Sequence, residues 1–129
     1  MDLDFSNGNV LAFVGDSVMT LWVREFLVKQ GITKAKDLQN AASTYISAKA
    51  QAKVMLKMLE SDFLSAKEQD IYRLGRNYKG NSKAKNVDIQ TYRIASGFEA
   101  LWGYWYLNNN PQRLSEFWNK TKTILEEDL

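Results

Sequence analysis

The sequence predicts an all-α fold of about six helices, spanning residues 1–129 as one domain. Three observations predict it. One proline and seven glycines in 129 residues leave few breaks. Apolar residues recur at helical rather than alternating spacing along nearly the whole chain. Capping signals then cut the chain into helix-length pieces. At 45% hydrophobic residues, the chain can fill a core of single-domain size.

Each element has a local reason. Ser6, Asn7 and Asn9 offer N-caps for a first helix over about 9–30, which Gly31 ends. Thr33 can cap a second helix over 34–44, and a third runs over about 46–60. Ser65-Ala66-Lys67-Glu68 has the spacing of a capping box and starts a fourth helix, 66–77. YKGNSKAKN reads as loop. A fifth helix spans about 87–108. Asn109 or Asn110 caps the last helix, with Pro111 at its first position.

Composition removes several chemistries. The chain has no cysteine, hence no disulfide, thiolate metal site or thiol nucleophile. It has no histidine, which removes the usual general base near neutral pH and the commonest zinc ligand. An enzyme built from this sequence must use carboxylates, which most readily hold Mg²⁺ or Mn²⁺. Asp16, Arg24, Glu25 and Lys29 interrupt the longest apolar stretch, so no membrane span is expected. The polar, acidic N-terminus is unlike a signal peptide, and the expected location is the cytoplasm.

Two helices stand out. In the first, Asp16, Thr20 and Arg24 recur at i, i+4, i+8 as a narrow polar stripe. Leu11, Val14, Val18, Leu21, Trp22 and Val28 cover the rest, as expected of a helix buried or sandwiched between partners. In the fifth, Ile94, Phe98, Leu101 and Trp105 form an apolar stripe, with Ser96, Glu99 and Gly103 on another side. Gly15, Gly97 and Gly103 would let helix backbones approach closely. The two helices are therefore expected to pack together and set Asp16, carried into an apolar interior, beside Glu99. Adjacent carboxylates repel, and either a proton or a divalent cation resolves the repulsion. The simpler alternative is that each carboxylate meets an arginine or a backbone amide.

LAFVGDSV, residues 11–18, resembles the signature helix of the ribonuclease III family, close to L-E-F-L-G-D-A-V. FEALWGYWYL, residues 98–107, resembles that family's second acidic motif, close to V-E-A-L-I-G-A-I-Y-L. YISAKAQAK and GRNYKGNSKAKNVDIQTYR resemble its short branch, Mini-ribonuclease III. The resemblance covers nearly the whole chain. It implies the helical ribonuclease III endonuclease fold, a homodimer, and Mg²⁺-dependent cleavage of double-stranded RNA, with Mn²⁺ able to substitute. By position, Asp16 and Glu99 match the catalytic, metal-holding carboxylates. Phe13 matches an aromatic that plugs into the partner subunit, and Val14 and Val18 join it at the expected dimer interface. Two further acidic positions of the family are Ala12 and Ser96 here, which leaves two carboxylates per subunit. The family's double-stranded-RNA-binding domain has no counterpart in the sequence, so substrate must be found unaided or with a ribosomal protein that presents it.

Phosphodiester hydrolysis through such a site would leave a 5′-phosphate and a 3′-hydroxyl. In a bacterium, the resemblance implies maturation of the large-subunit ribosomal RNA precursor. Net charge is only +2, but its distribution is uneven. Lys49, Lys53 and Lys57 share one helix face. Arg73, Arg76, Lys79, Lys83, Lys85 and Arg93 cluster around the loop, with Asp88 among them. Such a patch suits a phosphate backbone. Taken by itself, the 49–57 stripe reads more readily as a solvated lysine face; the 73–93 cluster is harder to assign that way. Asn77, Gln51 and Ser47 are candidate donors to ribose 2′-hydroxyls. The tryptophans fall at spacings that favour packing over base stacking. The alternative function is a catalytically inactive relative that only binds double-stranded RNA.

Overall fold

The computed structural model describes residues 7–77 and 88–127. It contains six helices in the order α1 (Gly8–Lys29), α2 (Ala35–Ile46), α3 (Ala48–Glu60), α4 (Ala66–Asn77), α5 (Ile89–Leu107) and α6 (Pro111–Glu126). There are no strands among the described residues. No described helix is long and apolar enough to cross a membrane.

The caps explain the boundaries. Asn7 Oδ1 accepts from the amides of Asn9 and Val10, so α1 starts at Gly8. Gly31, at φ +90, turns the chain out of that helix through the left-handed region. Thr33 does not cap α2; Lys34 occupies the cap position without a side-chain bond, and the helix runs two residues past the expected 44. Ser47 ends α2 and caps α3, its hydroxyl accepting from the Ala50 amide at 3.2 Å. The capping box at α4 is complete, with Ser65 Oγ accepting from Glu68 N and Glu68 Oε1 accepting from Ser65 N. Asp88 caps α5 through the Thr91 amide at 2.8 Å. Asn110 caps α6 through the Arg113 amide.

Helix α5 is the central rod. Ten of its residues between Ile94 and Trp105 are buried, so it is covered on nearly every side. Helix α1 packs along it most extensively, α4 and α3 cover other faces, and α6 closes over its C-terminal half. The α1–α5 crossing is made by glycine. A β-carbon on Gly15 would run into the main-chain oxygen of Glu99, and one on Gly103 into that of Leu11. An aromatic cluster fills the space beneath α6. The Phe117 ring lies 4.7 Å from that of Phe98, 4.8 Å from Trp105 and 5.4 Å from Trp102. Trp22 packs edge-on against Trp102 at 5.7 Å. The tryptophans therefore pack rather than stack on bases.

Candidate active site

The glycine crossing places the side chains that follow it. Gly15 presses α1 against the backbone of α5 at Glu99, so Asp16, one residue on, lies beside the Glu99 carboxylate. The two carboxyl groups are close enough to share a hydrogen bond. The expectation that Asp16 is carried into the interior is corrected. Asp16 is exposed at the edge of the α1–α5 contact, whereas Glu99 is mostly enclosed. Helical spacing shows which residues share a stripe, not how far the stripe turns from a neighbouring helix.

Burial pushes the Glu99 carboxyl up, the Asp16 charge and the bond with Asp16 push it further, and it reaches about 8. One contact opposes this. Gln51 Nε2, from α3, donates to Glu99 Oε2 at 3.4 Å. Among the described residues neither carboxylate meets an arginine, so the alternative of simple ion pairing does not describe this pair.

The donor set suits a hard divalent cation. Both groups offer oxygen only, one is open to solvent, and their mutual repulsion would be relieved by a cation between them. Mg²⁺ is commonly held by one or two carboxylates, with waters and phosphate oxygens completing its shell. No group of three or more acidic, histidine or cysteine side chains that could hold a metal occurs among the described residues. Ala12 and Ser96 are both buried, at 5% and 3% exposure, and small side chains fill those positions.

A different carboxylate fits the ion-pair pattern. Glu68, buried on α4, accepts from Arg113 Nε and Nη2 at 2.9 and 2.6 Å, from the Trp105 indole at 3.0 Å, and from Ser65 N. Burial pushes its carboxyl up, but Arg113 and these donors outweigh that and hold it below its ordinary value. Arg113 Nη2 also donates to Phe63 O at 3.1 Å. This knot ties α4, α5 and α6 together. In the sequence only its capping half was visible, because Arg113 lies 45 residues away.

The basic residues are placed as follows. Lys49 is exposed on α3 and Lys53 half-buried beside it. Arg73 is exposed and paired with Asp70 at 2.6 Å. Arg76 lies over the Tyr72 ring at 5.7 Å, and its Nε donates to Asn77 Oδ1. Arg93 is exposed on α5. Arg76, Asn77, Gln90 and Arg93 line a hollow of about 520 Å³ together with Leu56, Leu59 and Ile94. Lys79, Lys83 and Lys85 lie outside the described residues. Gln51 is corrected as a 2′-hydroxyl donor, being 4% exposed and turned to Glu99, whereas Ser47 is half-buried and its hydroxyl oxygen accepts from the Ala50 amide as the α3 N-cap.

The outer face of α1 is apolar and open. Phe13 is 79% exposed, Leu21 63% and Val28 60%, and Val14 is half-buried beside them. Val18 is corrected as an interface residue. It is 7% exposed and packs into the chain's own core, leaving little surface for a second chain.

The Ribonuclease III domain profile matches residues 9–110. The Mini-ribonuclease 3 of Streptococcus pneumoniae is 45% identical over 114 residues, 88% of this chain and 89% of that protein. That of Enterococcus faecalis is 45% identical over 113 residues, covering 88% and 86%. That of Staphylococcus aureus is 39% identical over 121 residues, covering 94% and 90%. A crystal structure of a Fusobacterium nucleatum protein superposes with a TM-score of 0.78 over 95% of this chain and 94% of that one, at 21% identity, a likeness of fold.

Proposed function

The chain belongs to the Mini-ribonuclease III branch of the ribonuclease III family, and from that premise we propose that it is a Mg²⁺-dependent endoribonuclease that cleaves double-stranded RNA. The observation that carries this reading is the Asp16–Glu99 pair, one carboxylate open to solvent and the other held protonated by burial and by its neighbour. Mn²⁺ serves in place of Mg²⁺ by the same oxygen chemistry.

Bound between the two carboxylates, a divalent cation would supply charge neutralisation at the phosphate and an activated water. The protein's share of the reaction is then specific. Asp16 presents its carboxylate from the solvent side, where a phosphate can approach. Glu99 backs it from α5 as the second carboxyl that would hold the cation. The glycine contact at Gly15 and Gly103 fixes the separation of the two helices that carry them. In-line attack by water forms a new bond to phosphorus as the bond to the 3′ oxygen breaks; a proton from solvent completes the 3′-hydroxyl, and the attacking oxygen stays on the 5′-phosphate.

Arg73, Arg76, Asn77 and Arg93 serve the phosphate backbone, with Lys49 and Lys53 on α3 adding to the basic surface. The open apolar stripe of Phe13, Val14, Leu21 and Val28 on α1 supports a homodimer, which would bring two sites to the two strands of a duplex. The resemblance of residues 45–53 and 75–93 to the Mini branch supports precursor large-subunit ribosomal RNA as the natural substrate. The test is to offer duplex RNA, single-stranded RNA and duplex DNA side by side in Mg²⁺ and in EDTA. Cleavage confined to duplex RNA with Mg²⁺ is expected. Equal cleavage of single strands, or cleavage in EDTA, would overturn the reading.

A further inference from the structure

Gln51 is the one polar residue among the buried positions of α3, which are otherwise Ala50, Ala52, Val54, Met55 and Met58. Its Nε2 donates to the main-chain oxygen of Ile46 at 3.0 Å and to Glu99 Oε2 at 3.4 Å. A primary amide nitrogen carries two hydrogens, and these contacts use both. The Ile46 carbonyl can only accept, so it dictates which end of the amide faces Glu99. The other end, Oε1, is buried with no partner among the described residues. A buried acceptor left unpaired is destabilising, and a leucine of similar size would avoid it. Packing alone therefore does not account for glutamine at this position. The benefit must come from the group that the amide touches.

We propose that Gln51 is a positioning residue for the cation site: anchored on Ile46 O, it holds the Glu99 carboxyl from α3 in the orientation in which Glu99 and Asp16 would hold a divalent cation. This rests on reading Asp16 and Glu99 as the cation's ligands. The 3.4 Å contact is long for an N–H donor. A bond to an ionised carboxylate is shorter and stronger, so cation binding tightens it. Groups that orient a metal's ligands tune its affinity by about 10- to 100-fold.

The test uses the RNA-free protein. Mn²⁺ binding is titrated by electron paramagnetic resonance for wild type, Gln51→Leu and Gln51→Met, with thermal unfolding in EDTA recorded alongside. Two variants guard against one failing to fold. The expected result is Mn²⁺ affinity about 10- to 100-fold weaker, with the melting temperature in EDTA unchanged or raised because the unpaired oxygen is gone. Cleavage should follow, its loss recovered by raising Mg²⁺ while KM for RNA stays unchanged. Wild-type Mn²⁺ affinity in both variants would overturn the role of Gln51 alone. Weaker binding with a parallel loss of thermal stability would make the residue structural and overturn it too. If wild type itself takes up no Mn²⁺, the reading of the Asp16–Glu99 site falls, and this role with it.

Discussion

Gly15 lies so close to Glu99 that a β-carbon on the glycine would overlap the glutamate's main-chain oxygen. The obstacle is backbone, not the end of a flexible side chain, so α1 and α5 would have to separate. Gly15→Ala gains about 1 kcal/mol in helix propensity but overpacks a site that cannot yield. It is expected to destabilise the protein by about 2 kcal/mol or more net. Urea unfolding measures this. Cleavage should fall further than stability, because the separation of Asp16 and Glu99 changes with the helices.

The raised Glu99 carboxyl has a signed consequence for stability. Between about 4.5 and about 8 the folded protein holds a proton that the unfolded chain has released. In EDTA this group's contribution is fully present below about 4.5 and lost as pH rises through about 8. Glu99→Gln replaces the group with a neutral amide and removes that slope. The variant should therefore melt above wild type at about pH 8.5, by on the order of a few kcal/mol, and the gap should close at about pH 4.5. Thermal unfolding of both proteins at the two pH values checks this. Mg²⁺ should stabilise wild type at the higher pH and leave the variant unchanged.

How much of this the sequence revealed depends on the range of the interaction. The α1–α5 pairing and the meeting of Asp16 with Glu99 were legible, because glycine beside a lone carboxylate in an apolar helix signals close approach. The Ser65–Glu68 box and the Pro111 start were legible because capping is local. Which carboxylate is buried was not, since that depends on how each helix turns in the bundle. Gln51 bonds Glu99 across 48 residues, and Arg113 bonds Glu68 across 45. No spacing rule reaches that far, and Gln51 read from the sequence as a candidate donor to ribose 2′-hydroxyls. Val18 fell on an interface pattern by position, yet faces the core.

The Glu68–Arg113 pair should matter to folding and not to chemistry. Arg113→Met leaves Glu68 buried without its charge partner and should destabilise by about 3–5 kcal/mol. The double variant Glu68→Gln/Arg113→Met removes the stranded charge and should recover part of that loss. Urea unfolding of the single and double variants measures the coupling. Cleavage per folded molecule should match wild type in both.

RNA affinity should be electrostatic and strongly dependent on salt. Arg93 is exposed and lines one hollow with Arg76 and Asn77. Arg93→Ala should lower the slope of log affinity against log salt by about 1, uniformly across duplex sequences. Arg73→Ala should do less, since Arg73 already neutralises Asp70. Duplex binding titrated at several salt concentrations in Ca²⁺ tests both.

The most direct measurement of the Asp16–Glu99 account is cleavage of a long RNA duplex in Mg²⁺ at low salt, by wild type and Glu99→Gln together, with duplex binding recorded in parallel. The account predicts that wild type cleaves, that EDTA stops it, and that the variant binds as tightly and does not cleave. Cleavage by Glu99→Gln at the wild-type rate would contradict it. So would a wild type that binds the duplex but never cleaves it in Mg²⁺ or Mn²⁺, a result that would leave a catalytically silent RNA-binding protein.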